Sequence, residues 1–191
     1  MSQSNVEQRP PAPAHEVVIA TTEEEIQQCL QVRIDVFHHE QGFPLDSEID
    51  QYDSDPTVKR FLLRLTPSLV PIGVIRGTKT LKDGHNLHTY KLSRLAILKP
   101  YRQYKLGRKL VEALHDWIRF DAKAFHQTLI DQGTYGGPPP PHFVKVIAHS
   151  QIPAKGFYEK YVISLLDPTS RAPRQLMMLL PSVPSQVWLY A

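Results

Sequence analysis

Residues 90–118, YKLSRLAILKPYRQYKLGRKLVEALHDWI, restrict what this chain can fold into more than any other stretch. Residues 91–98 are apolar and β-favourable, which predicts a strand, and Pro100 ends it. From Leu106 the apolar residues Leu106, Leu110, Val111, Leu114, Trp117 and Ile118 fall on one face of a helix. The free N–H groups of that helix's first turn point outward with partial positive charge, and nearby Arg and Lys side chains add to it. Gly107 lets a ligand approach the backbone closely. The turn is therefore suited to a phosphate-bearing ligand.

Two familiar phosphate loops do not fit. A Walker loop needs Gly-Lys-Ser/Thr, whereas Gly107 is followed by Arg108, Lys109 and Leu110. A dinucleotide fingerprint needs three spaced glycines, and only Gly107 is present.

The chain of 191 residues is long enough for one domain with a proper core. Its net charge of +3 is too small to announce a nucleic-acid binder. A single cysteine, Cys29, excludes an internal disulfide and suits a reducing compartment. Cys29 lies on the apolar face of a helix and is read as packing. No apolar run reaches the length of a membrane span. Residues 1–15, MSQSNVEQRPPAPAH, lack a signal peptide's apolar core and are read as a disordered, Pro-rich leader to a single domain over 16–191. The expected setting is cytoplasmic or nucleocytoplasmic.

In chain order, residues 16–20 read as a first strand. Thr22 and Glu25 form a capping box for a helix that ends near Val36-Phe37. Residues 32–53, VRIDVFHHEQGFPLDSEIDQYD, then pass through Gly42 and Pro44 into a run of acids at Asp46, Glu48, Asp50 and Asp53, a polar loop suited to a cation or amine. Residues 60–65 and 72–78 read as a hairpin, in which Gly73 signals a bulge or close packing. His85 and His88 have chelating spacing but no third ligand nearby, so they read as loop histidines around a turn at 82–86. Residues 121–130 extend the helix, and QGTYGGPPPP at 132–141 makes an exposed Gly/Pro-rich insertion of about 131–142. Strands are expected at 143–149, 162–166 and 176–180, with 181–191 wrapping or trailing.

The segment from Leu95-Ala96-Ile97 to Arg102-Gln103-Tyr104-Lys105-Leu106-Gly107 resembles the acyl-CoA loop of the GNAT acetyltransferase superfamily, R-x-x-G-x-G/A after a strand. Lys105 replaces its first glycine, a change that fits an ordinary helical φ. Residues 32–53 resemble the signature of the ElaA/YjcF-like branch through Val32, Arg33, Val36, Phe37, Glu40, Gln41, Gly42, Pro44, Glu48, Asp50 and Asp53. Gln151, Phe157, Tyr158 and Lys160 resemble a further superfamily signature. Val162-Ile163 replace its usual Gly-Phe, and Arg174 replaces the histidine of a final motif.

The resemblance implies an α/β acyl-CoA N-acyltransferase fold: a mixed sheet flanked by helices, with two parallel strands splayed around a pantetheine arm. It implies acetyl-CoA as co-substrate, no metal, and transfer to a primary amine of a small molecule. Leu95, Ala96 and Ile97 would hold the arm. The pyrophosphate would lie on Arg102, Gln103, Tyr104, Lys105, Leu106, Gly107 and Arg108, with Gln151 also in the cofactor site. A phenol can return a proton to a thiolate, and Tyr158 stands where relatives carry that acid. An alkyl amine must first lose a proton, and Glu40 is the leading carboxylate for that step. Asp50, Asp53 and Arg94 are the acceptor-binding candidates.

Other readings stay open: a catalytically degenerate acyl-CoA-binding module, or a protein-lysine acetyltransferase. A third is a partner surface built on Lys91, Arg94, Lys99, Arg102, Lys105, Arg108 and Lys109, whose binding to nucleic acid would weaken steeply with salt. The expectation is no nucleic acid and no membrane, with the protein a monomer or homodimer.

Overall fold

A computed structural model of the chain describes residues 11–81, 88–133, 145–150, 156–157 and 185–190. The elements are β1 (His15–Ile19), α1 (Glu23–Arg33), a π-helical continuation (Ile34–Glu40), β2 (Lys59–Leu65), β3 (Pro71–Leu81), β4 (His88–Ile97), α2 (Gly107–Asp131), β5 (Lys145–Ser150) and β6 (Ser185–Tyr190). The strands form one sheet in the order β1-β2-β3-β4-β5-β6. Among the described residues only β4 and β5 pair in parallel, because α2 lies between them in sequence and returns the chain to the same end of the sheet.

Alternation along the strands divides the core between two faces. Phe61, Leu63, Ile75 and Ile97 point to one face and pack with Leu106, Leu110, Val111, Leu114 and Ile118 around α2. Their neighbours Leu62, Val74 and Ala96 point to the other and meet Cys29, Val32 and Val36 of the first helix and its continuation. Cys29 is buried there, and burial pushes its thiol up to about 12, as expected for a packing residue rather than a nucleophile.

The capping box forms as the sequence indicates: Glu25 N–H donates to Thr22 Oγ1 at 3.2 Å, and Thr22 N–H donates to Glu25 Oε2 at 3.3 Å. The helix does not stop at Val36-Phe37. It widens and runs to Glu40, with Gln41 N–H reaching back five residues to Val36 O at 3.1 Å. Gly73 serves both expected roles. The β2–β3 register slips beside it, and an added Cβ would fall 2.4 Å from Ile97 Cδ1. α2 is one unbroken helix to Asp131.

The tail is not wholly a trailing segment, since β6 pairs antiparallel with β5. His88 belongs to β4. The strands expected at 162–166 and 176–180, and His85, lie outside the described residues. Among the described residues no helix is long and apolar enough to cross a membrane.

His115 on α2 is fully buried, and among the described residues neither ring nitrogen has a hydrogen-bond partner. Burial, reinforced by the charge of Arg119 and opposed by Asp116 and Glu112, pushes its imidazole down to about 4. The unfolded chain therefore takes up the proton first as pH falls. The contribution of His115 to stability is fully present above about pH 6.5 and is lost toward pH 4, by on the order of 3 kcal/mol. Urea titrations over that range are expected to show this slope in the wild type and a shallower one in His115→Leu. An unchanged slope in the variant would show that another group carries it.

Candidate active site

The parallel β4–β5 ladder covers only Thr89–Leu92 against Lys145–Ala148, although β4 runs on to Ile97 and β5 to Ser150. The two strands thus separate beyond Leu92 and Ala148. The cause is a bulge on the other side of β4. Val74 pairs with Ala96 but Arg76 pairs with Ser93, so Ile75 alone faces Arg94 and Leu95. Arg94 takes up the extra length with φ +56. Past the bulge, Ala96 and Ile97 stay paired with β3, and residues 95–97 have no partner on β5. A strand edge of this kind can bond an extended ligand as though it were the missing strand.

Below that edge a 3₁₀ segment, Lys99–Tyr104, leads into α2. Lys105 between them has φ +58. The ordinary helical φ that would make lysine easy here is not what the turn adopts: the chain must reverse before the new helix begins, which puts its hinge residue in the left-handed region. Glycine suits that position, and lysine is strained in it. Lys105 N–H bonds Arg102 O at 3.2 Å, and the Arg108 and Lys109 amides bond Lys105 O and Leu106 O at 3.2 and 3.0 Å. Among the described residues no group accepts from the amides of Leu106 or Gly107. These are the donors best suited to an anion at the start of α2. Phe157 lies over the same turn, with its ring 3.5 Å from where a Gly107 Cβ would stand. The signature around residue 157 is thereby joined to the basic turn. Tyr158 and Gln151 lie outside the described residues.

Arg102 and Glu40 meet each other. The guanidinium donates from Nη1 and Nη2 to the two carboxylate oxygens at 2.6 and 2.7 Å, and from Nε to Ile97 O at 2.9 Å. The Arg102 hydrogen bonds hold the Glu40 carboxyl below the usual carboxylate range, which makes it a weaker base than a free glutamate. Both side chains are thus engaged with one another rather than turned toward a ligand. Arg108 pairs with Glu112 at 2.6 Å and is half exposed, while Gln103 is exposed and reaches Pro100 O at 3.3 Å. Tyr104 packs at the edge of the core.

The acidic run also folds onto arginines. Arg33, 2% exposed, donates to Asp53 Oδ1 and Oδ2 at 2.6 and 3.2 Å and to the Glu48 carbonyl. Arg76, 3% exposed, grips Asp50 through two bonds of 2.8 and 2.6 Å and reaches Asp53 Oδ1 at 3.3 Å. Arg60 donates to the carbonyls of Tyr52 and Asp53, both at 2.8 Å. Arg94 donates to Ser47 O at 2.7 Å and Asp50 Oδ2 at 3.3 Å, and its Nε lies 3.4 Å from Glu48 Oε2. Burial raises the proton affinity of Asp50, but the bonds and charge of Arg76, with the Tyr52 amide and Arg94, outweigh it and hold the carboxyl below its usual range.

Asp50, Asp53 and Arg94, the acceptor-binding candidates, are thus brought together by the fold, each bound to another of the three or to a buried arginine. Sequence reasoning overlooked Arg60 and Arg76. Their signal was an arginine at an inward position of an otherwise apolar strand, which requires a carboxylate partner.

No protein-family model matches the chain. A Bacillus subtilis (strain 168) protein named "Putative acetyltransferase BSU40680" is 30% identical over 140 residues, covering 73% of this chain and 77% of that one. The chain belongs to the GNAT acetyltransferase superfamily. Solved structures share the fold at lower identity. Escherichia coli ElaA has a TM-score of 0.54 at 15% identity, covering 92% of this chain and 97% of its own. An acyl-CoA N-acyltransferase of Pseudomonas aeruginosa has a TM-score of 0.55 at 17% identity, covering 78% and 88%. The protein is thus an acyltransferase with the GNAT fold, and the gap between β4 and β5 is the splay expected of that fold.

Two stability measurements check this geometry. Lys105→Gly is expected to leave stability unchanged or raise it by up to about 1 kcal/mol, and Lys105→Val to lower it by about 1–2 kcal/mol. Equal midpoints for the two variants would argue against a left-handed residue 105. Arg33→Leu takes from Asp53 its shortest partner and leaves buried Glu48 with Arg94 alone among the described residues, and is expected to cost roughly 3–5 kcal/mol in urea unfolding. A loss below about 1 kcal/mol would show that the acids reach water or other partners.

Proposed function

We propose that this chain transfers the acetyl group of acetyl-CoA to a primary amine of a small molecule by direct attack. The observation that carries the reading is the edge of residues 95–97, free of β5 and leading into a helix start whose Leu106 and Gly107 amides have no acceptor among the described residues. The edge suits the amide groups of a pantetheine arm, and the helix start suits a pyrophosphate. Lys105 and Arg108 stand at the same turn and supply positive charge.

In the transfer the amine nitrogen attacks the thioester carbon, a C–N bond forms, the C–S bond breaks, and the thiolate must be protonated. Tyr158 is the residue assigned to give that proton, by its place in the superfamily signature. The amine's own proton has to leave through a base. Glu40, lowered by Arg102, is poorly suited to take it directly, so the reading assigns this step to water and gives Glu40 the task of holding Arg102 against the end of β4. The charges of Asp50 and Asp53 are met by arginine, so the acidic loop gives less reason to favour a cationic acceptor.

A second reading, an acyl-CoA-binding module without catalysis, is favoured by the strain at Lys105 and the engagement of Arg102 with Glu40. Two measurements separate the readings. Calorimetric titration with acetyl-CoA and with CoA is expected to show micromolar binding of both, and an amine-library screen to show thiol release. Tyr158→Phe is expected to lower kcat by about 10²-fold or more while CoA affinity stays within about twofold. Full activity in that variant would remove Tyr158 from the mechanism. Failure of the wild-type protein to bind either ligand would overturn the cofactor reading altogether.

A further inference from the structure

We propose that the loop bearing Glu48, Asp50 and Asp53 is a latch that holds the cofactor edge of β4 in its bulged form, with Arg94 as the positioning residue between loop and strand. The inference rests on the reading that residues 95–97 receive the pantetheine arm.

A non-glycine residue at φ +56 costs roughly 1–2 kcal/mol, and it persists only where its surroundings hold it. At Arg94 the holding groups are on the loop: Ser47 O, Asp50 Oδ2 and Glu48 Oε2. Those partners are fixed in turn. Asp50 is gripped by Arg76, whose own strand position pairs with Ser93 directly beside the bulge, and Arg76 Nε reaches Ser93 Oγ at 3.2 Å. Arg33 of α1 fixes Glu48 and Asp53. The loop thus ties α1 and β3 to the one strained residue of β4. Each of the three acids is paired with an arginine, so the acidic run is placed to act on the chemistry through the shape of the strand.

The latch predicts an unequal response to two substitutions at one position. In Arg94→Ala the tie is lost and the left-handed φ remains unfavourable, so residue 94 relaxes and the edge must be reshaped before it can bind. The dissociation constant for CoA is expected to rise about tenfold, the equivalent of the relieved strain. In Arg94→Gly the tie is also lost, but glycine holds the left-handed φ without penalty, and the rise is expected to stay under about threefold.

Equal losses in the two variants would overturn the proposal, because an arginine that touched the ligand would be missed equally in both. Amide hydrogen exchange over residues 93–98 gives a reading without ligand, and includes the Leu98 amide that donates to Ile72 O at 2.9 Å. Exchange there is expected to be faster in Arg94→Ala than in Arg94→Gly or the wild type. Wild-type exchange in Arg94→Ala would overturn the latch even if CoA binds. If the wild-type protein binds no CoA, the cofactor reading fails, and the exchange comparison still decides whether the loop holds the strand.

Discussion

Everything that distinguishes this sheet from an ordinary one depends on guanidinium–carboxylate pairing between the first helix, the third strand and the loop of residues 45–53. Arg33 and Arg76 are almost wholly buried, and a buried arginine is costly unless carboxylates and other acceptors meet its charge. Asp53 serves both arginines, Asp50 serves Arg76 and Arg94, and Glu48 sits between Arg33 and Arg94. These shared ion pairs tie the loop to the sheet more firmly than its exposed apolar side chains Leu45 and Ile49 could.

From that pairing the rest follows in order. The bulge at Arg94 lets β4 bend, the bend separates β4 from β5, and the separation frees the edge of residues 95–97. The chain leaves that edge through Lys99–Tyr104, where Arg102 bonds back to Ile97 O and across to Glu40. The π-helical continuation of α1 is what carries Glu40 far enough to make this second tie. Both ends of the free edge are therefore anchored to the same helix, through Arg94 and the acidic loop on one side and through Arg102 and Glu40 on the other. α2 packs on the opposite face and is pinned separately, with Asp121 accepting from Lys79 Nζ at 2.7 Å and from Tyr90 Oη at 2.7 Å.

Local signals were legible in the sequence, and non-local ones were not. The capping box at Thr22 and Glu25 is written within four residues and forms as read. The strand, basic turn and helix of residues 90–118 are carried by apolar period and proline, and they also stand. Gly73 announced the packing it makes. The bulge at Arg94 could not be read, because it arises from how β4 registers against β3, some twenty residues away. The left-handed Lys105 was hidden because lysine carries no sign of that conformation, whereas glycine would have. The acids at 48–53 were seen, but their arginine partners lie 15 to 46 residues distant, and a carboxylate bound to arginine has the same letter as one awaiting a substrate. The helix end was misplaced for a similar reason: a π turn needs one residue more per turn than the apolar period assumes.

The most direct test is a crystal structure of the protein with CoA. The account requires the pantetheine arm along residues 95–97, the pyrophosphate at the Leu106 and Gly107 amides, Arg94 still in the left-handed region, and Asp50 still on Arg76. A ligand bound elsewhere would contradict the cofactor site. A ligand in place with the loop of residues 45–53 swung away, its carboxylates turned toward the bound molecule, would contradict the claim that arginine pairing shapes the strand.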